Sequence, residues 1–367
     1  MDQTILKSEE KAIFALRSLY RKYGYLPYKM SKFEEYEYYI RNKDFLVSDR
    51  IITFNDTNGK LLALKPDVTL SIIKNCLDLP GCKQKVYYNE NIYRVSESTH
   101  QYKEIMQAGL ECIGDIDLYD ICETVSLAAQ SLALISEEFI LQISHLGILS
   151  AVLDRVCPDP KFHQAATAFI AGKNAHDLSR LCREYGLAPE AEELLTGLVC
   201  VYGERNQVLA RLEALCGALA AEPLAELKQL SKLLEKSPYS SKIIFDFSVV
   251  GSMSYYNGIV FRGYLSGICD GLLAGGQYDK LMHKMDRKSG AIGFALYLDL
   301  LEQLPTPKDD YDVDVLLIYG PETDPAVVTE KGEQLIEEGR TVSAQKAVPP
   351  KLRYRELIDL RKEAGVC

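Results

Sequence analysis

Two polar residues on one predicted strand are the first residues of this chain whose types and spacing suggest chemistry. The stretch from Tyr87 to Gly114 reads YYNENIYRVSESTHQYKEIMQAGLECIG. Its apolar–polar alternation predicts two strands around a polar loop at residues 96–101, with the second strand at residues 105–113. Gln107 and Glu111 are four residues apart and therefore point the same way from that strand. They are either solvent-facing residues of an edge strand, or buried groups that need polar side chains or a small polar ligand as partners.

Two further segments hold residues that could bind a ligand. Asp67 and Thr69 follow a short predicted strand at residues 61–65 and lie near the start of a predicted helix that runs to about residue 77. Because an acid suits the positive end of a helix, the residues alone favour helix capping for both. Residues 271–281 read GLLAGGQYDKL, and their two adjacent glycines either form a tight turn or let the backbone approach a ligand closely.

The segment around Gln107 resembles motif 2 of the class II aminoacyl-tRNA synthetases. In that motif an arginine precedes the loop, and a glutamine and a glutamate lie on the strand after it; here they are Arg94, Gln107 and Glu111. The similarity is greatest to histidyl-tRNA synthetase, which also has glycines at the positions of Gly109 and Gly114. The resemblance implies an α+β fold, with a class II synthetase-like core in which helices flank an antiparallel sheet.

The same resemblance implies a binding site for L-histidine. LKPDVT is similar to the segment in which the synthetases hold the α-amino group of the substrate, and Asp67 and Thr69 fall on the two positions that hold it. Tyr255 and Tyr256, which precede Asn257, resemble the histidine-specific motif. In that motif the second tyrosine contacts the imidazole together with the strand glutamate. The histidine-binding residues implied in this way are Asp67, Thr69, Arg94, Gln107, Glu111, Tyr255 and Tyr256.

The positions that would catalyse amino-acid activation have lost their arginines. By the resemblance, the histidine-specific arginine falls on Gly251, the motif 3 arginine on Leu300, the neighbouring motif 3 glycine on Tyr297, and the arginine of the motif 2 loop on Gln101. Activation builds negative charge on the α-phosphate of ATP, and the loss of one preorganised donor typically costs about 10²–10³ in rate. We therefore expect no catalytic residue, no enzymatic activity, no cofactor and no metal site.

A chain that keeps the amino-acid site but lacks the residues for amino-acid activation resembles the regulatory subunits of ATP phosphoribosyltransferase. That transferase is the first enzyme of histidine biosynthesis. The resemblance covers about residues 5–304. It implies a short-form catalytic subunit as partner, feedback inhibition by L-histidine, and a homodimer within a hetero-oligomer. Two alternatives remain: a histidine-binding synthetase paralogue that acts on another partner, and an active histidyl-tRNA synthetase, against which Gly251 and Leu300 argue.

The composition of the 367 residues limits which binding partners and which cellular compartment we expect. A formal charge of −10 disfavours a general nucleic-acid binder, which needs Lys and Arg to release counterions. The ten cysteines are scattered without a CxxC pair, which indicates reduced thiols in the cytoplasm rather than disulfides or a zinc site. The first residues, MDQTILKSEE, contain no apolar signal region, and no run approaches the length of a membrane span, so we expect no membrane association.

We expect three regions along the chain. Residues 1–150 and 240–304 form the synthetase-like core, and residues 151–239 form a helical insertion. After a linker at residues 306–308, residues 311–367 form a small, truncated α/β unit that resembles the start of an anticodon-binding domain. The apolar spacing predicts helices at residues 8–23, 120–134, 290–304 and 352–362.

Overall fold

The computed structural model describes residues 6–42, 51–79, 81–95, 100–251, 253, 255–304 and 310–361. Residues 96–99 of the predicted loop and the predicted linker at residues 306–308 lie outside these ranges. The chain divides into two units, residues 1–304 and residues 305–367, and each is described by itself. Within the described ranges, no helix combines the length and the apolar character that crossing a membrane requires.

A nine-stranded sheet forms the centre of the first unit. The strands of this unit are β1 (Leu26–Pro27), β2 (Phe33–Glu35), β3 (Thr53–Asn55), β4 (Leu61–Leu64), β5 (Gln84–Val95), β6 (Tyr102–Gly114), β7 (Phe139–His145), β8 (Tyr202–Gly203), β9 (Ile243–Asp246), β10 (Ile259–Leu265), β11 (Leu273–Gln277) and β12 (Gly290–Tyr297). The order in the large sheet is β1-β5-β6-β12-β11-β10-β7-β9-β8, and β2, β4 and β3 form a small second sheet. The large sheet is mixed rather than purely antiparallel, because the β1–β5 and β7–β9 pairs are parallel.

Helices cover this sheet, and six of them follow one another in the middle of the chain. The helices of the first unit are α1 (Ser8–Lys22), α2 (Tyr36–Arg41), α3 (Thr69–Asn75), α4 (Leu118–Ala133), α5 (Leu146–Val156), α6 (Pro160–Ala171), α7 (Ala175–Glu184), α8 (Pro189–Val199), α9 (Arg205–Cys216), α10 (Ala221–Leu234) and α11 (Asp279–Lys284). Local chemistry fixes the start of α4, where the Asp117 carboxylate accepts hydrogen bonds from the backbone N–H groups of Tyr119 and Asp120. The predicted α+β class is confirmed.

One face of the central strands is a packed hydrophobic core. Phe261, Phe294, Leu110 and Tyr87 lie opposite one another in register, with Gly275 between the two phenylalanines. All four large side chains are buried in the same cluster as the apolar face of α4. Side chains alternate across a pleated sheet, so the neighbouring residues of these strands face the other way.

Two of the predicted helices are wrong. Residues 290–297 form β12, which is hydrogen-bonded to β6 on one side and β11 on the other, and only Leu298–Gln303 turns as a short 3-10 helix. The helix predicted at residues 352–362 is instead a strand over most of its described length, and residue 362 lies outside the described residues. A short apolar run fits either structure, and pairing with neighbouring strands decides between them.

The second unit is a small parallel α/β arrangement. Its elements are β13 (Val313–Ile318), α12 (Pro325–Glu337), β14 (Val342–Gln345) and β15 (Tyr354–Asp359). The sheet order is β14-β13-β15, and both pairs are parallel. The Asp324 side chain caps α12, and Pro325 occupies its first turn, where its missing N–H costs nothing.

Candidate functional site

The face of the central strands opposite the hydrophobic core lines a cavity. Residues that face one another on neighbouring strands project to the same side of a sheet. One cross-strand row runs through Arg262, Ala274, Ala295, Gly109 and Tyr88. A second row, two residues along each strand, runs through Val260, Gly276, Gly293, Glu111 and Val86. In these two rows the middle strands contribute only small residues, which we call the floor: Ala274, Gly276, Gly293 and Ala295.

Glu111 lies at one side of the floor and is 2% exposed. Thr69 Oγ1 donates a hydrogen bond to Glu111 Oε1 at 2.8 Å, and Tyr278 OH donates one to Glu111 Oε2 at 2.6 Å. Burial raises the pKa of Glu111 to about 8, although both hydrogen bonds act to lower it. A side chain at Gly293 would meet this carboxyl group, since a Cβ atom there would lie 1.7 Å from Oε2.

Strand β5 fixes the segment that holds Asp67. The buried Lys65 ammonium pairs with Glu90 at 2.8 Å, and the backbone N–H of Tyr93 donates to the carbonyl of Lys65 at 2.9 Å. One residue further along β5, Arg94 Nε donates to the carbonyl of Pro66 at 3.0 Å. These contacts place Asp67 over the cavity.

The Asp67 carboxyl group is partly satisfied within the protein. Its Oδ1 accepts from the backbone N–H of Leu70 at 2.9 Å, which is the capping interaction expected from the sequence. Its Oδ2 lies 3.8 Å from Nη2 of Arg94, a loose ion pair. Burial raises the pKa of Asp67, and the Arg94 charge opposes that shift.

Tyrosines form much of the remaining wall. The rings of Tyr255 and Tyr256 have centroids 4.6 Å apart, and Tyr255 lies 5.7 Å from Tyr278. Burial raises the pKa of all three phenols well above the usual value. They therefore stay neutral at physiological pH, and each hydroxyl can donate and accept a hydrogen bond.

All seven histidine-binding residues implied by the sequence line this one cavity of about 520 Å³. Gln107 and Glu111 are buried, and β6 pairs with β5 and β12, so the alternative of solvent-facing residues on an edge strand is wrong. The volume suits a small molecule.

Several lining residues were not among the predicted set. They are Tyr88, Gly251, Arg262, Ala274, Tyr278, Gly293, Phe294, Ala295 and Tyr297. Tyr278 follows the two adjacent glycines of the GLLAGGQYDKL segment, whose close-approach interpretation could have pointed to it. The alternation of small residues at positions 274 and 276, and at 293 and 295, was a second available signal.

The cavity offers groups for a small molecule with both charges and a polar ring. Asp67 and Glu111 supply carboxyl groups, Arg94 and Arg262 supply guanidinium groups, and the tyrosines supply neutral hydroxyls. In the described part of the chain, no group of three or more His, Cys, Asp or Glu side chains is arranged to hold a metal ion. The carboxyl groups match the ammonium group of an amino acid, and the guanidinium groups match its carboxylate.

Known proteins are similar to this chain in sequence and in fold. A protein from Oceanobacillus iheyensis named ATP phosphoribosyltransferase regulatory subunit is 27% identical, over 83% of this chain and 77% of its own length. A solved structure from Bacillus halodurans, described as an ATP phosphoribosyltransferase regulatory subunit/histidyl-tRNA synthetase, has a TM-score of 0.79 at 23% identity, covering 96% of this chain and 93% of its own. A chain of an ATP phosphoribosyl transferase complex from Thermotoga maritima has a TM-score of 0.64 at 20% identity, covering 81% and 98%.

The class II synthetase-like fold predicted from the motifs is confirmed by these structures. The resemblance to regulatory subunits of ATP phosphoribosyltransferase is likewise confirmed by the names of the relatives. The family model for histidyl-tRNA synthetase matches residues 4–301, which is most of the sequence. The chain therefore belongs to the histidyl-tRNA synthetase family.

Proposed function

We propose that this chain is a regulatory subunit of ATP phosphoribosyltransferase that binds L-histidine in the cavity beside Glu111. The observation that carries the proposal is that all seven residues implied for amino-acid binding line one cavity, from which the family's activation arginines are missing. The name shared by relatives at 24–27% identity supports the same role. Histidine would then be the feedback inhibitor of the assembly.

Each end of histidine has complementary groups in the cavity. The ammonium group is held by Asp67 and Thr69, whose oxygens accept hydrogen bonds. The two imidazole nitrogens pair with Glu111 and Tyr256, which project from different segments of the wall. A site that hydrogen-bonds both ring nitrogens rejects analogues lacking them, because the buried carboxyl and phenol groups would be left without partners.

The chain itself has no catalytic role in this proposal. Gly251 and Tyr297 line the cavity without a positive charge, and Leu300 packs against the hydrophobic core. An adenylating site needs preorganised cations around the α-phosphate of ATP. Absence of these arginines supports regulation rather than aminoacylation.

The assembly we propose is a homodimer of this chain within a hetero-oligomer that contains a short-form catalytic subunit. The similarity to a chain of an ATP phosphoribosyl transferase complex supports the hetero-oligomer. The nine described cysteines are free thiols, which supports a reducing cytoplasmic compartment. Inhibition requires that histidine bind two states of the assembly with different affinity, and such differences are typically about 1–3 kcal/mol.

The experiment mixes this chain with a short ATP phosphoribosyltransferase catalytic subunit and follows phosphoribosyl-ATP formation with and without histidine. We expect activity that depends on this chain and that falls when histidine is added. Glu111→Ala should abolish the inhibition and leave assembly intact. Glu193→Ala, an exposed position on α8 outside the cavity, is the matched control and should remain inhibited.

Three results would overturn the proposal or its binding site. No effect of the chain on the catalytic subunit, while calorimetry detects histidine binding, would favour a histidine-binding paralogue that acts on another partner. Histidine-dependent exchange between pyrophosphate and ATP would instead identify an active synthetase. Histidine inhibition that is unchanged in Glu111→Ala would remove the proposed binding site.

A further inference from the structure

We infer that Arg262 is the anchor for the α-carboxylate of the amino acid that occupies the cavity. The inference rests on the proposed histidine site and answers a question that site leaves open. The family position for the histidine-specific arginine is Gly251, so the cavity needs another cation if it is to hold a carboxylate. Arg262 and Arg94 are the two arginines among the lining residues in the described part of the chain.

Arg94 is already committed to the protein. Its Nε donates to the carbonyl of Pro66 at 3.0 Å, and its Nη2 lies 3.8 Å from Oδ2 of Asp67. These contacts orient the segment that carries Asp67 and Thr69. A ligand carboxylate at Arg94 would therefore compete with the structural role of that side chain.

Arg262 has no comparable commitment. Among the residues that the structure describes, no carboxylate oxygen lies within 4.0 Å of its guanidinium group. Burial raises the pKa of Tyr256 and of Tyr297, and the positive charge of Arg262 opposes both shifts, which agrees with its position beside them in the cavity. Its charge is available to a ligand.

The sheet gives Arg262 a place across the floor from Glu111. Arg262 lies on β10 and Glu111 on β6, so three strand spacings, about 14 Å, separate their backbones across the sheet. On β11 and β12, the strand positions between them are the small floor residues. Gly271 borders the stem of Arg262, since a Cβ atom at Gly271 would come within 2.8 Å of Cδ. A ligand whose imidazole meets Glu111 thus extends its other end toward Arg262.

An arginine fits this task better than a lysine would. The planar guanidinium group presents parallel N–H donors that match the two oxygens of a carboxylate. Hydrogen bonds to charged groups are stronger than those between neutral groups. A single neutralising substitution should therefore change the affinity for a carboxylate-bearing ligand measurably.

The test compares L-histidine with L-histidinol, which has a hydroxymethyl group in place of the carboxylate. Calorimetry measures both ligands on the full chain and on Arg262→Gln, Arg262→Lys and Arg355→Gln. We expect Arg262→Gln to weaken histidine binding about tenfold or more and to change histidinol binding little. Arg262→Lys should recover part of the loss. Arg355→Gln removes one exposed charge from β15, far in sequence from the cavity residues, and should behave like the unmodified chain.

The outcomes separate this inference from the proposed function. An unchanged ratio of histidine to histidinol affinity in Arg262→Gln overturns the role of Arg262 and leaves the histidine site standing. If the unmodified chain binds neither histidine nor histidinol, the proposed function is overturned, and this inference with it. Circular dichroism of each variant checks folding. We expect no change, because each substitution replaces an exposed arginine.

Discussion

Glu111 is the residue on which the chemistry of the cavity depends. Its carboxyl group accepts hydrogen bonds from Thr69 and Tyr278, which lie 42 and 167 residues away in the chain. Burial raises its pKa to about 8, so the group is largely protonated at neutral pH when the cavity is empty. A protonated carboxyl group can donate one hydrogen bond and still accept others, which suits an imidazole ring.

The raised pKa of Glu111 predicts a pH-dependent stability. Below the ordinary value of 4.5 both the folded and the unfolded chain hold the proton, and the stabilisation is fully present. Between there and about pH 8 only the folded chain holds it, so stability falls with rising pH, by up to about 1.4 kcal/mol per unit from this one group. Thermal unfolding from pH 5 to 8.5 should show this decline in the ligand-free protein.

Glu111→Gln is the comparison for that measurement. The amide resembles the protonated carboxyl group in shape but does not titrate, so its stability curve should be flatter. Asp67, whose pKa is also raised by burial, is present in both proteins, so the difference reports Glu111 together with its interaction with Asp67. Parallel curves for the two proteins would show that Glu111 does not hold an extra proton in the folded state.

Gly293 predicts a second effect at the scale of one residue. A Cβ atom there would lie 1.7 Å from Glu111 Oε2 and 2.4 Å from the carbonyl oxygen of Leu110. Gly293→Ala should therefore displace the carboxyl group, destabilise the chain by about 1–3 kcal/mol, and abolish histidine binding. Denaturant unfolding and calorimetry measure the two effects.

Gly332→Ala is the matched control for that substitution. Gly332 lies inside α12, and a Cβ atom there meets nothing within 4 Å. The substitution should stabilise the helix by about 0.5–1 kcal/mol, because glycine loses more backbone entropy than alanine. If Gly293→Ala and Gly332→Ala destabilised the chain equally, the close approach at Gly293 would be contradicted.

At the scale of elements, the site depends on how β5 holds the segment before α3. The Lys65 side chain is fully buried and its ammonium pairs with Glu90, whose side chain is 16% exposed. Removing one partner leaves the other charge buried without compensation. Glu90→Ala should therefore lower stability by about 3 kcal/mol or more and weaken ligand binding through Asp67.

The double variant Lys65→Met with Glu90→Ala tests that reason. With both charges removed, most of the lost stability should return, because an apolar pair can replace a buried ion pair at little cost. Glu37→Ala breaks an exposed ion pair with Arg41 and should leave the denaturation midpoint unchanged. A double variant no more stable than Glu90→Ala alone would argue against an unpaired charge as the cause.

The elements differ in how well the sequence predicts them. Helices α1 and α4 have charged caps and clear apolar stripes, and their positions agree with prediction to within a few residues. Strand β12 was predicted as a helix because GAIGFALY is apolar on both faces: one face packs in the core and the other belongs to the floor. Only pairing with β6 and β11, which no local pattern encodes, makes it a strand.

The site was predictable where polar residues formed motifs and not where it depended on register. Gln107 and Glu111 share a strand, so their common orientation follows from spacing alone. Arg262 and Tyr88 are far apart in the sequence and meet the cavity only because four strand pairings align them in one row. Sequence spacing carries no information about such alignment until the strand order is known.

At the scale of the whole molecule, every described lining residue belongs to the unit formed by residues 1–304. Saturating histidine at 100 times its dissociation constant should stabilise this unit by about 2.7 kcal/mol. Hydrogen exchange should therefore slow in β6, β12 and the segment at residues 65–75. Residues 310–361 should exchange at the same rate with and without histidine, and Glu111→Ala should show no protection anywhere. Equal protection in residues 310–361 would mean that the two units open together.

The floor has a consequence for how such a cavity arises and disappears. Its space exists because two strands have only glycine or alanine at four positions, whereas its polar groups come from separate segments of the chain. A single base change converts any glycine codon into an alanine codon. Under the proposed function, ligand control is therefore lost in one mutational step at Gly293, while the hydrogen-bonding wall stays intact in sequence. A lineage released from selection on histidine control should first accumulate larger residues on the floor.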